Sequence, residues 1–533
     1  MMKAASLVKS LLVLAVSAAA MSAVFADVRP AGIFNRNMVL QRDVEMPVWG
    51  WADPGEKVEV SFAGQTKNAT ADAHGAWEIR LAPLALNKSG ETMTIKGNNT
   101  VELTNILVGD VWLCAGQSNM EMNFNWGIMD GEKFIAEAKN YPQIRRIKIR
   151  IRSSPIPLKA AEATDWSVCS SQTVSTYTAA GYFFARKLTQ ELDSLPIGIL
   201  EENWGGRHIE LFIALEGLQM VPEFAARASK VLGNVPGTKE WKASREKYLA
   251  ELKAVLPEVE KRLAEGREFS DIIPKIEISN DSAIYNAMIE PIVRFPVKGV
   301  IWYQGCSNAN DKGDLYFKYM QALVGGWRKV WNKPDMPFYF MQLASFQKPT
   351  SNPAGGDGFA WIREMQRKSL SIPNTGMACA IDIGEIFDIH PKNKIDAGER
   401  LALWALTKTY GKKDVVCSGP LYKGMKIEGN RIRLSFDYAD GLMTAVKKGY
   451  ENPVPAPGQK PTNFTVCGKD GKWFWADAVI EGNDVLVSSN DVAEPVAVRY
   501  AYRGFPSDLN MYNAAGLPMV PFRTDDPAPQ ETK

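Results

Sequence analysis

Short alternating runs of apolar and polar residues occupy both ends of the chain, and longer apolar blocks separated by helical spacings occupy its middle. Near the N-terminus, 46–51, 57–62, 76–81 and 91–96 are cut by the turns Asp53-Pro-Gly, His74-Gly and Asn98-Asn-Thr. Runs of that length between turn formers predict strands of a small sandwich over 27–105. From 106 to 410, apolar strands are expected at 106–113, 197–202, 299–303, 338–343 and 377–383, with helical patterns between them at 179–192 and 400–409. Such alternation predicts an α/β domain with a parallel sheet and covering helices. Trp241, Tyr248, Leu252, Val255, Val259 and Leu263 recur mostly at three- and four-residue steps. They predict a helix over 238–266, kinked or divided at Pro257, inside an insertion at about 215–285. From 411 to 533 the pattern is β-rich again, with strands expected at 425–427, 431–436, 464–467, 484–488 and 496–501, before a polar tail.

The stretch Val108-Gly-Asp-Val-Trp-Leu-Cys-Ala-Gly-Gln-Ser-Asn-Met120 carries the first chemistry. An apolar strand runs into Gly116, which permits a sharp turn, and Ser118 follows where a helix can begin. A serine there has an exposed oxygen beside unpaired amides, as a nucleophile needs. In parallel sheets, ligands bind beyond the carboxyl ends of the strands. Ser118, Asn203-Trp-Gly-Gly206, Gln304-Gly-Cys-Ser-Asn308 and the segment 382–390 all follow expected strands.

Only three histidines are available as a base: His74, in a turn of the N-terminal region; His208, after Gly-Gly-Arg; and His390, in Asp388-Ile-His-Pro391. His390 is a candidate base, because a carboxylate two residues before it can orient the imidazole; a loop pair without that role fits the same residues. Asp382 and Glu385 are the alternative carboxylates. The expected oxyanion hole combines the Ser118 N–H, an N–H of Gly205 or Gly206, and a side-chain amide of Gln304 or Asn308. Cys306 is a rival nucleophile, but no basic neighbour in sequence would lower its pKa.

Composition narrows the classes. At 533 residues the chain is too long for one core, and 46% hydrophobic with 23% charged residues is the mixture of a soluble globular protein. Fifteen Trp and sixteen Tyr suit carbohydrate contacts as well as a core. Lys3 and Lys9, the apolar segment from Leu11 and the small-residue end Val24-Phe25-Ala26 predict a signal peptide at 1–26, and with it a periplasmic or secreted protein. Without Lys3 and Lys9 the remaining chain is net neutral, so neither nucleic acid nor an anionic membrane is an expected partner. Six cysteines allow up to three disulfides; Cys114 is expected as a buried thiol, and Cys417 with Cys467 as a pair. The lack of CxxC and the scarcity of histidine argue against a zinc site.

Taken in order, Gly109-Asp-Val-Trp-Leu-Cys-Ala-Gly-Gln-Ser-Asn-Met120, Pro196-Ile-Gly198 with Trp204-Gly-Gly206, Val300-Ile-Trp-Tyr-Gln-Gly305, Ile381-Asp-Ile-Gly384, Asp388-Ile-His-Pro-Lys-Asn-Lys394 and Tyr512-Asn with Pro521-Phe-Arg-Thr524 resemble the sialate O-acetylesterases, within the SGNH (GDSL-like) hydrolases. The resemblance implies Ser118 as nucleophile, His390 as base and Asp388 as orienting acid. It also implies a flavodoxin-like, three-layer SGNH core flanked by β-rich domains. Three positions depart from the family pattern. Cys306 stands where Glu is usual, Arg207-His208 and Phe212 replace Thr-Arg and Trp, and the carboxylate lies two rather than three residues before the histidine. The expected function is a cofactor-free carbohydrate O-acetylesterase, with O-acetylated sialic acid as first substrate and acetylated xylan or pectin as the alternative. Gln117, Asn119, Arg207 and His208 are expected to bind substrate. A glycan-binding protein with a degenerate site is the rival from another class.

Overall fold

The computed structural model of the chain describes residues 27–525; the expected signal peptide and the tail from 526 onward lie outside the described residues. A 17-residue strand, Thr100–Gly116, runs through the centre of the molecule. Its first half pairs antiparallel with Asn87–Lys96. Its second half pairs in parallel with Ile197–Asn203 on one side and Gly299–Tyr303 on the other. The boundary expected after residue 105 therefore falls inside one strand, and the N-terminal β-layers share a continuous apolar core with the α/β part.

The core sheet is ordered Ser167–Val168, Ile144–Lys148, Ile197–Asn203, Thr100–Gly116, Gly299–Tyr303, Phe338–Gln342, Thr375–Cys379. All its pairings are parallel except that of the short edge strand Ser167–Val168. The chain leaves the central strand and returns on opposite sides of it, which makes a topological switch point at its carboxyl end. Helices cover both faces. Trp112 packs on Phe184 of the helix Ala179–Glu191. Trp302, on the opposite face, packs on Phe212 and on Trp327 of the helix Leu315–Val330.

The hydrophobic pattern misses the core strand Ile144–Lys148, because two arginines interrupt it. Arg146 holds Glu201 through two bonds of 2.9 and 3.0 Å, and Glu201 also accepts the Thr178 N–H at 2.7 Å. The buried charges thus neutralise each other; removing one partner of such a pair costs about 3–5 kcal/mol.

The insertion between the strands Ile197–Asn203 and Gly299–Tyr303 is helical, as expected, but Pro257 does not divide its long helix Lys239–Ala264. No residue of that helix is buried, and Lys253, whose carbonyl loses its partner at Pro257, is exposed. Water can take that carbonyl, so the helix continues.

The C-terminal part is β-rich, with two four-stranded sheets and a small three-stranded one. Ile432, Leu434, Val466, Val487, Val498 and Phe522 contribute to a core of its own. All six cysteines are thiols, which corrects the expected Cys417–Cys467 bridge. Cys417 packs in the main core, whereas Cys467 lies on the strand Phe464–Gly468 of a C-terminal sheet.

Candidate active site

The central strand ends at Gly116, whose φ of 138° suits only glycine and whose added Cβ would stand 2.3 Å from the Tyr303 carbonyl oxygen. Gln117 N–H donates to that carbonyl oxygen at 3.0 Å. The short helix Ser118–Glu121 then begins, with Ser118 half-buried between buried neighbours. Its N–H lies in the first turn and has no intrahelical acceptor.

The loop after Thr375–Cys379 brings in His390, the expected base. His390 Nε2 lies 2.9 Å from Ser118 Oγ, and His390 Nδ1 lies 3.2 Å from Asp388 Oδ1. The Asp388 carboxylate also accepts the His390 backbone N–H at 2.9 Å and the Lys392 ammonium at 2.8 Å. Burial alone would raise the Asp388 carboxyl, but these donors hold it below its ordinary value. Burial pulls the His390 imidazole below its ordinary value, against the opposing pull of Asp388. The neutral, proton-accepting form is therefore the one populated at neutral pH. Of the other two carboxylates weighed, Asp382 is tied to Arg400 and Glu385 accepts the Lys392 N–H. The Trp126 ring stands 5.7 Å from the His390 ring, edge to face, and Phe387 is 84% exposed beside Asp388. Two exposed aromatic residues thus stand beside the His390–Asp388 loop.

On the other side lies Trp204-Gly-Gly206. A Cβ on Gly205 would stand 3.3 Å from Ser118 Cβ, so glycine is what allows the loop against the serine. The oxyanion-hole expectation needs correction here. Gly205 N–H already donates to Glu121 Oε2 at 2.8 Å, and Glu121 is held by Lys148 at 3.2 Å. Gln304 Nε2 donates to the Arg207 carbonyl oxygen and to Asn308 Oδ1, and Asn308 Nδ2 donates to Glu210 and Asp311. Gln304 and Asn308 are wholly buried and bind one another rather than face Ser118. Among the described residues, the Gly206 N–H has no protein acceptor.

Gln117 and Asn119, expected to bind substrate, are buried and engaged by the protein: Gln117 Oε1 accepts the Gly305 N–H at 3.0 Å, and Asn119 Nδ2 donates to the Ile389 carbonyl oxygen at 3.1 Å. Asn119 Oδ1 accepts from Lys394 Nζ at 2.8 Å, and Lys394 also donates to the Pro391 carbonyl oxygen at 2.8 Å. This buried lysine thus ties the serine helix to the histidine loop. Burial pulls its ammonium down to about 7. Cys306, in the loop after the strand Gly299–Tyr303, is pushed up to about 12 by burial, which makes it a poor nucleophile. Arg207 and His208 remain at the surface side of the loop, with His208 exposed and 3.8 Å from Glu210. His74 sits in its N-terminal turn, away from this constellation. Among the described residues no group of three or more His, Cys, Asp or Glu is placed to hold a metal ion.

The solved carbohydrate acetylesterase from Xanthomonas citri superimposes on this chain with a TM-score of 0.76 at 33% sequence identity, over 93% of this chain and 99% of that one. The chain belongs to the sialate O-acetylesterase family. Its members from rat and human match at 28% identity each over 93% of this chain, covering 94% and 92% of their own lengths. The family model described as carbohydrate esterase, sialic acid-specific acetylesterase matches residues 273–406. That stretch contains Gln304, Asp388, His390 and Lys394 but not Ser118. Four site residues escaped the sequence reading of chemistry: Glu121, Lys148, Lys392 and Lys394. The two lysines after His390 had a signal in the phrase Asp388-Ile-His-Pro-Lys-Asn-Lys394, whereas the Glu121–Lys148 pair is joined only by the fold.

Proposed function

We propose that the protein is a serine esterase that removes O-acetyl groups from carbohydrate, with O-acetylated sialic acid as its substrate. The observation that carries this reading is the 2.9 Å contact of Ser118 Oγ with His390 Nε2, backed by Asp388 on the other ring nitrogen. Ser118 Oγ attacks the acetyl carbonyl carbon while its proton passes to His390 Nε2. The oxyanion is received by the N–H groups of Ser118 and Gly206. The bond from carbon to the sugar oxygen then breaks, and His390 returns the proton to that oxygen. Water, deprotonated by His390, attacks the acetyl carbon of the acetyl-enzyme; the bond from that carbon to Ser118 Oγ breaks, His390 returns the proton to Ser118 Oγ, and acetate leaves. Asp388 stabilises the imidazolium formed in each half-reaction. The parallel sheet with a serine at its switch point supports an SGNH-type core, and the leader-like sequence at 1–26 supports an exported enzyme.

The test is acetate release by the purified mature chain from mono-O-acetylated sialic acid beside acetylated xylan, with Ser118→Ala as control. Serine-dependent turnover of the sialic acid is expected. Serine-dependent turnover of xylan alone would keep the mechanism and overturn the substrate. Glycan binding without any turnover would overturn the enzymatic reading.

A further inference from the structure

We infer that Arg207 reads the carboxylate of an acidic sugar whose acetyl group is presented to Ser118. This rests on the esterase reading above and names the residue that selects the substrate class. Three observations carry it. The Arg207 guanidinium carbon lies over the Trp204 indole, 4.1 Å from the ring centroid. Its Nε is buried and, among the described residues, has no hydrogen-bond partner. No carboxylate of the described residues lies within ion-pair distance of it, and none of its nitrogens donates to a protein acceptor there. A guanidinium carries five N–H donors in a rigid fork. Leaving a buried donor unmade is costly, and a carboxylate satisfies that fork with two parallel, charge-assisted bonds.

The position is as informative as the missing partner. The segment holding Arg207 is pinned along its length. Trp204 N–H donates to the Gly116 carbonyl oxygen at 3.0 Å and Gly205 N–H to Glu121 at 2.8 Å. The Arg207 carbonyl oxygen accepts from Gln304 at 3.1 Å, and Ile209 N–H donates to Asn308 at 3.1 Å. The buried Gln304–Asn308 pair, which does not serve the oxyanion hole, thus holds the backbone that aims Arg207. A Cβ on Gly205 would stand 3.3 Å from Ser118 Cβ, so Arg207 follows by two residues a position packed close to the nucleophile, on a pinned backbone and over the Trp204 indole. A charge held this way binds with little further ordering. The near-neutral net charge of the chain leaves recognition of an acid to such a local group. In sialic acid the carboxylate and the acetylated hydroxyls sit on different carbons of one molecule, so one end can engage Arg207 while the acetyl ester meets Ser118.

The experiment measures acetate release from mono-O-acetylated sialic acid and from its C1 methyl ester, in which the charge is absent. The full mature chain is compared with Arg207→Gln and Arg207→Lys. The wild type is expected to prefer the acid by about tenfold or more in kcat/KM, the scale of one charge-assisted bidentate contact. In Arg207→Gln that ratio falls to about one, and the loss lies in KM for the acid. In Arg207→Lys, which keeps the charge but not the fork, the ratio falls part of the way; this variant decides the matter if the glutamine variant does not fold. An acid-to-ester ratio unchanged by either substitution overturns the assignment of Arg207 while leaving the esterase reading intact. Acetate released from acetylated xylan, run beside them, but from neither sialic acid form overturns the assignment of Arg207 and the sialic acid substrate together, and keeps the esterase mechanism.

Discussion

Asp388→Asn separates a full catalytic triad from a dyad that a carboxylate merely assists. In the structure the Asp388–His390 contact is 3.2 Å long, and the Asp388 side chain is 37% exposed. The same carboxylate is shared with the Lys392 ammonium at 2.8 Å and the His390 N–H at 2.9 Å. A hydrogen bond to a charged group contributes about 1.5–3 kcal/mol, and solvent with a competing cation places this one at the low end. The substitution is therefore expected to lower kcat by about 5- to 30-fold, corresponding to about 1–2 kcal/mol of barrier. A buried triad aspartate loses about 10⁴-fold on the same change. The pH profile supplies a second reading. Activity needs neutral His390, so the rate rises with pH through the imidazole pKa. Burial sets that pKa low and Asp388 pulls it up, so Asp388→Asn moves the acidic limb to still lower pH. The assay is initial acetate release from about pH 4.5 to 9, fitted for kcat and its limb. A loss as complete as that of Ser118→Ala, or an acidic limb that moves upward, refutes this reasoning.

Two further outcomes follow from buried charges. Glu202 is wholly buried with neither carboxyl oxygen bonded among the described residues, and burial raises it from 4.5 to about 8. Between those values the folded state holds a proton that the unfolded state has lost, so stability declines as pH rises through that window; Glu202→Gln removes this decline, and denaturant midpoints at about pH 5 and pH 8 check it. Lys394→Met leaves Asn119 Oδ1 and the Pro391 carbonyl oxygen without their donor, so both Tm and kcat are expected to fall, the stability by about 1–3 kcal/mol; an unchanged kcat would show that the serine helix and histidine loop need no such tie.

How much was legible in the sequence follows from which residues signal locally. The apolar strands around Trp112, Ile199 and Ile301 are buried on both faces and declare themselves, and their carboxyl ends gave Ser118 its place. The strand Ile144–Lys148 stayed hidden because its arginines are balanced by Glu201 from a neighbouring strand, a pairing that only the fold creates. Pro257 misled because its effect depends on solvent access rather than on sequence. Ser118, His390 and Asp388 were readable because each sits in a short phrase after a strand. The oxyanion donors were not, because a glycine or an amide reveals nothing of its partner: Glu121 takes the Gly205 N–H, Gln304 donates to Asn308 and the Arg207 carbonyl oxygen, and Asn308 donates to Glu210 and Asp311. The expected Cys417–Cys467 pair failed for a similar reason, since spacing along the chain does not show that two thiols lie in separate layers.

The central claim is that Ser118 attacks the acetyl carbonyl with His390 as its base. The most direct measurement is the intact mass of the mature chain after treatment with an acyl-mimicking phosphonate, with peptide mapping, in the wild type, Ser118→Ala and His390→Ala. One adduct per chain on the Ser118 peptide, absent from Ser118→Ala and strongly slowed in His390→Ala, is the predicted result. An adduct on Cys306 or elsewhere, or labelling that persists in Ser118→Ala, would contradict it.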